Sequence, residues 1–236
     1  MKLMGLSESD LDQPMYGVTE TARLVGLSPN RVRRWLKGYE YDYGSERRSQ
    51  GPVVRQSVCA ESEYASFLDL IDLLFVKQFL DTGLSLQRLR TALDEASQIL
   101  GTNHFARNKF FTDGRNIYLE IKRLGEEVEK KSILQLLSKG QWVIPEVIVL
   151  LAEQVDFDHK SELARRWYPP GMDGLIVLDP LQSFGRPSIV GRGIATANVF
   201  DFFQAEDSRI RPTCRWFKIS QNEANAAVSF EQQLAA

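Results

Sequence analysis

The chain has 236 residues, 43% apolar and 25% charged, a composition that supports one large folded domain or two small ones. No run of about 18 apolar residues occurs, which argues against a membrane-spanning helix. Cys59 and Cys214 lie far apart without a CxxC spacing, which argues against a disulfide framework or a zinc site, and both read as buried thiols of a cytoplasmic protein.

The net charge of −2 is unevenly spread, because Ser28 to Cys59 holds seven basic residues against three acidic ones, a local +4 that leaves −6 for the remainder. In chain order, residues 1–14 carry one Lys and no apolar core, so they read as a disordered leader and not a secretory signal. Tyr16 to Gly38, YGVTETARLVGLSPNRVRRWLKG, predicts two short helices. Thr19 is placed to cap the first, with Ala22, Val25 and Leu27 near one face and Gly26 as a tight exit. Ser28 caps the second, which starts at Pro29 or Asn30, where a missing N–H has no intrahelical role. Val32 and Leu36 fall four apart on the inward side, leaving Asn30, Arg31, Arg33, Arg34 and Lys37 outward or beside that seam. Two short helices across a glycine-containing turn, the second strongly basic, outline a helix-turn-helix. Tyr39 to Ser57 is turn-rich and holds Arg47-Arg48, Gly51-Pro52 and a β-like Val53-Val54-Arg55, which suggests a wing with a basic tip.

Phe67 to Leu80 predicts a helix too apolar all round to be exposed, ended by Gly83. Ser85 caps a further helix in which Leu86, Leu89, Leu93, Ala96 and Leu100 recur three and four apart, as core or as a helix–helix interface. From His104 the texture changes. Asp113-Gly114 between two β-prone arms predicts a hairpin, a helix follows, and Pro145 sits in the first turn of another. SELARRWYPPGMDG ends a short helix in Pro169-Pro170-Gly171, the best candidate linker. Beyond it come an apolar strand from Leu175 to Leu178, Asp179-Pro180, and RPSIVGRGIAT, a short strand broken by Gly191-Arg192-Gly193. Helices are expected over Ala197 to Ala205, Ile210 to Phe217, and Ser220 to about Gln233, the last capped by Ser220 with Asn222 and Glu223 in its first turn. This is a second helix-turn-helix outline, with Arg209, Arg211, Arg215 and Lys218 in and around its middle helix.

Arginine on the start and outer face of the helix after Ser28 suits the major groove, where the guanidinium fork reads guanine O6 and N7, and Asn30 matches adenine in the same way. Ser28, the backbone amides at the helix start and Lys37 suit phosphates, which fix register without reading sequence. A solvated face is the plainer explanation of a charge run alone; the linked wing and the two caps favour DNA. Trp35 divides evenly between a sugar-phosphate contact and the core. Catalytic patterns are missing. His104 and His159 stand apart from any Ser, Cys or carboxylate at triad or metal-ligand spacing. Gly191-Arg192-Gly193 lacks the rest of a phosphate loop and reads as a tight turn. Asp156 and Asp158 alternate with Phe157 as a solvated acidic turn. No catalytic residue, metal or cofactor is expected.

The stretch YGVTETARLVGLSPNRVRRWLKGY is similar to the MerR-type winged helix-turn-helix: Thr19 to Leu24 occupies the first-helix motif, Gly26-Leu27-Ser28-Pro29 the turn, and Arg31 to Trp35 the recognition helix. SFLDLIDLLFVKQFLDTGLSLQRLRTAL looks like that family's continuation, with Gly83-Leu84-Ser85 and Arg88 to Leu93 in the expected cadence. The C-terminal part resembles the domain-of-unknown-function-433 module, on Asp179-Pro180, Gly185-Arg186-Pro187, Gly191-Arg192-Gly193-Ile194 and the closing helix from Ala224 to Phe230. SRIRPTCRWF stands where that module's middle helix is expected. Together the two parts are similar to the long VapB-type antitoxins. That resemblance implies the antidote of a type II toxin–antitoxin pair, binding a PIN-like ribonuclease toxin from a neighbouring gene as well as its own operator DNA. It also implies a toxin contact on the C-terminal module. The competing reading is a stand-alone MerR-like transcriptional regulator whose central region binds a small-molecule effector.

The expected fold is mainly α with small β additions, a winged helix-turn-helix N-terminal domain plus a C-terminal helix-turn-helix-like domain with short β-strands. The expected boundaries are a leader at 1–14, the MerR-like domain with its following helices at 15–103, a hairpin and helical connector at 104–171, and the C-terminal module at 172–236. The DNA-binding set is Ser28, Asn30, Arg31, Arg33, Arg34, Lys37, Arg47, Arg48 and Arg55, with Arg209, Arg211, Arg215 and Lys218 as a second nucleic-acid or partner surface. A homodimer through helices in or after Phe67–Leu100 is expected, because operator half-sites are usually paired and an all-round apolar helix needs a covering surface.

Overall fold

A buried seam across two short helices organises the N-terminal part. The computed structural model describes residues 11–54, 63–81, 85–87, 89–90, 154–158, 161 and 163–235. β1 (Tyr16–Gly17) leads into α1 (Val18–Val25), and α2 (Pro29–Lys37) follows after Gly26, Leu27 and Ser28. Ala22, Leu24 and Val25 of α1 and Val32 and Leu36 of α2 are buried. Gly26 closes α1 at φ 70°, a left-handed conformation that costs little without a Cβ. Ser28 Oγ accepts from Arg31 N at 3.3 Å and Pro29 opens α2, as the sequence predicts.

Thr19 does not cap α1. The helix starts two residues earlier, with Gly17 at the cap position, because β1 pairs antiparallel with β4 (Tyr64–Ala65) and Val18 N donates to Glu63 O at 3.0 Å. A long-range strand pairing thus satisfies one of the N–H groups that the first turn of the helix leaves without an intrahelical partner. Thr21, and not Thr19, is the buried threonine of α1, its hydroxyl donating to Gly17 O at 3.0 Å.

β2 (Tyr39–Tyr43) and β3 (Glu46–Gln50) form an antiparallel hairpin closed by Gly44-Ser45. Its second arm lies earlier than the β-like Val53-Val54-Arg55 suggested. Val53 and Val54 are buried, and both donate backbone N–H groups to Trp35 O, at 2.7 and 3.0 Å, so their apolar character serves docking onto α2. Arg55 lies outside the described residues.

α3 (Phe67–Asp81) begins on a reciprocal cap, with Ser66 N donating to Asp69 Oδ2 at 2.9 Å and Asp69 N to Ser66 Oγ at 3.0 Å. Phe67, Leu70, Ile71, Phe75 and Phe79 are buried within the chain itself, and α3 packs on α1, α2 and β4. The burial argument for a partner surface on this helix therefore falls. Leu11 and Asp12 are also buried, which corrects the expectation of disorder up to residue 14: Leu11 joins the core. Of the helix expected from Ser85, Leu86, Gln87, Leu89 and Arg90 are helical, and Arg90 donates to the carbonyls of Gly51 and Pro52. Gly83, Cys59, His104, the Asp113-Gly114 hairpin, the Pro145 helix and His159 lie outside the described residues.

β5 (Val155–Phe157) pairs with β6 (Ala164–Trp167). The short helix expected over SELARRWY is thus replaced by a strand. Trp167 exchanges both backbone hydrogen bonds with Leu178, at 3.0 and 2.9 Å, and one short helical turn does not outlast such a ladder because nucleation is unfavourable. β7 (Ile176–Val177) pairs antiparallel with β8 (Ser188–Ile189), Ile176 opposite Ile189. α4 (Thr196–Ala205), α5 (Ile210–Phe217) and α6 (Gln221–Ala235) follow, α6 packing on both. Cα packing divides the chain into Met1–Glu153 with Phe157–Ala164, and Gln154–Asp156 with Arg165–Ala236; Pro169-Pro170-Gly171 falls within the second unit. About half of the described residues are helical, with small two-stranded sheets besides, and no described helix is long and apolar enough to cross a membrane.

Candidate nucleic-acid interface

The inner face of α2 decides what its outer face can be. Val32, Trp35 and Leu36 point into the core, so Asn30, Arg31, Arg33 and Arg34 are left exposed and Lys37 half-buried. Trp35, at 4% exposure, belongs to the core and does not reach a sugar-phosphate. No acidic residue interrupts the helix. Ser28 and the first backbone amides of α2 lie at its exposed start, where the aligned peptide dipoles favour an anion.

The cations are nevertheless engaged. Arg33 Nε lies 3.2 Å from Glu63 Oε2, Arg33 Nη1 donates to Asn30 Oδ1 at 3.2 Å, and Lys37 Nζ lies 3.0 Å from Glu63 Oε1. Lys37 first, and Arg33 second, hold the Glu63 carboxyl below its ordinary range. Arg34 lies 4.2 Å over the Tyr39 ring and Arg31 5.9 Å from the Trp35 ring centroid. The ion pairs with Glu63 are at the surface, where water and salt screen them, so a phosphate or base edge can replace the carboxylate.

The hairpin departs from the expected basic tip. Gly44-Ser45 form the turn, while Arg47 and Arg48 sit on β3 opposite Asp42 and Tyr41. Arg47 pairs with Glu40 at 2.6 Å; Arg48 pairs with Glu46 at 3.0 Å and lies 4.2 Å over Tyr43. Two arginines against Glu40, Asp42 and Glu46 leave residues 39–50 at −1. The antiparallel register sets opposite charges side by side and neutralises the arm locally. Positive charge on this surface is therefore concentrated on α2.

Glu63 is the residue that sequence reasoning missed. The basic window closed at Cys59, four positions short, and Glu63 meets α2 only because β4 pairs with β1. The reciprocal serine cap of α6 was visible: Ser220 N donates to Glu223 Oε2 at 2.6 Å and Glu223 N to Ser220 Oγ at 3.2 Å.

In the second unit, Arg209 is drawn to Glu206 and Asp207, 3.6 Å from each carboxylate. Arg211 and Arg215 are exposed four apart on the face of α5 opposite the buried Thr213, and Lys218 is exposed at the left-handed cap that ends the helix. Trp216, 69% exposed, stacks on Phe202 of α4 with ring centroids 5.2 Å apart. Cys214, expected as a buried thiol, is part-exposed, because the inner face of α5 is taken by Thr213.

Asp156, Asp158 and Asp179 serve the fold through local hydrogen bonds. Asp156 accepts from Tyr168 Oη at 2.8 Å, and burial followed by that carboxylate raises the tyrosine's pKa. Asp158 Oδ1 accepts from Ser161 N and Oγ at 2.9 and 3.0 Å. Asp179, fully buried, takes Arg166 Nε at 2.7 Å, Leu181 N at 2.9 Å and Gln182 Nε2 at 3.2 Å. Among the described residues no group of three or more His, Cys, Asp or Glu side chains is placed to hold a metal ion.

No family model matches the chain. A Mycobacterium tuberculosis protein named "Putative antitoxin VapB45" is 25% identical over 199 residues, covering 81% of this chain and 83% of that protein. Two proteins named uncharacterized HTH-type transcriptional regulators, Rv1830 of Mycobacterium tuberculosis and Mb1861 of Mycobacterium bovis, are each 31% identical over 105 residues, 44% of this chain and 43% of theirs. The crystal structure of Rv2018 from Mycobacterium tuberculosis superposes with a TM-score of 0.65 at 20% identity, over 92% of this chain and 99% of that one. The two chains share a fold.

Proposed function

We propose that this chain is a cytoplasmic, non-catalytic antitoxin that binds its own operator DNA through α1 and α2 and neutralises a PIN-like ribonuclease toxin encoded by a neighbouring gene. One observation carries the DNA half: Asn30, Arg31, Arg33 and Arg34 are exposed on a Ser28-capped helix whose opposite face is buried. A helix of this kind enters the major groove, where Arg33 and Asn30 read base edges while Ser28, the amides at the start of α2 and Lys37 take phosphates. The hairpin at 39–50 is then the wing of a MerR-like winged helix-turn-helix, with Arg47 and Arg48 beside the backbone. Similarity over most of both chains to the protein named as a VapB45 antitoxin supports the other half. The toxin contact belongs on the domain-of-unknown-function-433-like module, along Arg209, Arg211, Arg215 and Lys218, and the protein works as a homodimer on paired half-sites.

A fluorescence-anisotropy titration tests the DNA half. At physiological salt the chain binds the duplex from upstream of its own gene more tightly than a scrambled duplex of equal length. Equal affinity for both would reduce the interaction to non-specific attraction. The second reading, a stand-alone regulator answering a small effector, is favoured by the 31% identity to HTH-type regulators over 105 residues. Co-purification with the neighbouring gene product separates the two.

A further inference from the structure

We infer that Glu63 is a specificity-determining residue of the α2 surface: it neutralises Arg33 and Lys37 in the free protein and so suppresses binding to DNA of the wrong sequence. This rests on the DNA-binding reading above. Glu63 offers one carboxylate oxygen to each of two cations one helical turn apart, Arg33 at 3.2 Å and Lys37 at 3.0 Å. The fold delivers it there. The Glu63 carbonyl accepts from Val18 N at 3.0 Å, and the next two residues pair with β1, so its backbone is tied to the start of α1. The carboxylates on Arg47 and Arg48 come from within the hairpin, whereas Glu63 reaches α2 from 26 positions away in sequence.

The energetics separate two kinds of duplex. A phosphate that takes Arg33 or Lys37 exchanges one anion for another, and the displaced carboxylate remains close enough to repel it. Non-specific binding, which is supplied almost entirely by phosphate contacts, is therefore weakened. On the right sequence Arg33 and Asn30, which hold each other in the free protein at 3.2 Å, gain base-edge hydrogen bonds that phosphates cannot provide. Discrimination comes from a repulsive element set against the wrong partner as well as attraction to the right one.

The test uses the full chain, as wild type, Glu63→Gln and Glu63→Asp, with the Glu63→Gln change repeated in an Arg33→Ala/Lys37→Ala background. Each protein is titrated with scrambled duplex and with the duplex upstream of its own gene at several salt concentrations, after thermal melts establish that it is folded. Glu63→Gln is expected to bind scrambled duplex about fivefold more tightly than wild type, the scale of releasing two exposed ion pairs. It gains less on the upstream duplex, so the ratio between the two falls, and its salt dependence steepens by about one ion. Glu63→Asp, with its carboxylate drawn back by one methylene, gains part of this, and the double-alanine background gains nothing. Unchanged or weaker binding of scrambled duplex by Glu63→Gln overturns the inference, as does an equal gain in the double-alanine background. If wild type prefers its upstream duplex and Glu63→Gln alters nothing, Glu63 alone is misassigned. If no variant binds any duplex, the DNA reading falls with it.

Discussion

Arg33 is held at two of its nitrogens, by Glu63 and by Asn30, and this preorganises the side chain as much as it occupies it. Arg33→Ala is expected to weaken binding to the cognate duplex by about 1–3 kcal/mol and to blunt the preference over scrambled DNA, measured by anisotropy. Arg47→Ala, outside α2, lowers affinity for every sequence alike and reduces the salt slope by about one. Glu223 makes a separate case. Backbone and side-chain hydrogen bonds from Ser220 come first, and Arg192 at 3.1 Å after them, in holding its carboxyl below the ordinary glutamate value of 4.5. A depressed folded pKa contributes stability that is present above pH 4.5 and is lost as pH falls through the lower folded value. Glu223→Ala should therefore melt lower at neutral pH, by about 1 kcal/mol for a lost cap, and show less acid sensitivity below pH 4.5 than wild type.

At the scale of elements, two glycines that flank α2 carry different burdens. Gly26 closes α1 at φ 70°, and an added Cβ would meet the end of the flexible Lys77 side chain at 3.7 Å (Cε) and 3.9 Å (Nζ), so Gly26→Ala costs about 1–2 kcal/mol of left-handed strain. Gly38 turns the chain from α2 into β2 at φ 77° and ψ −173°, and a Cβ there runs into the carbonyl oxygen of Gln50 and lies 3.0 Å from Gly51 C. Gly38→Ala combines the strain of that glycine-only conformation with a backbone clash, so the end of β3 must shift away from α2. Urea melts are expected to rank Gly38→Ala as clearly more damaging than Gly26→Ala, and equal losses would show that the hairpin yields freely. The elements themselves were unevenly foreseeable. α5 has the limits that its sequence suggested, and α1, α2, α4 and α6 come within a residue or two, since their caps and apolar spacing are local. β6 was taken for a helix because its partner residue, Leu178, lies eleven positions ahead of Trp167.

For the whole molecule, the division of labour is the open consequence. Co-expression with the product of the neighbouring gene is expected to yield a complex that survives affinity purification. The triple change Arg211→Ala/Arg215→Ala/Lys218→Ala should weaken that complex, whereas Arg33→Ala should leave it intact. Failure to recover a complex with the wild-type chain would favour the effector-responsive regulator. By itself the sequence determined the two serine caps, the basic outer face of α2 and the paired short helices at both ends, because each depends on residues a few positions apart. Only the tertiary structure decided that Glu63 sits on Arg33 and Lys37, that Val53 and Val54 dock on Trp35, and that the chain itself buries α3. Those outcomes depend on which distant segments meet, and hydrophobic periodicity and charge runs contain no record of the partner.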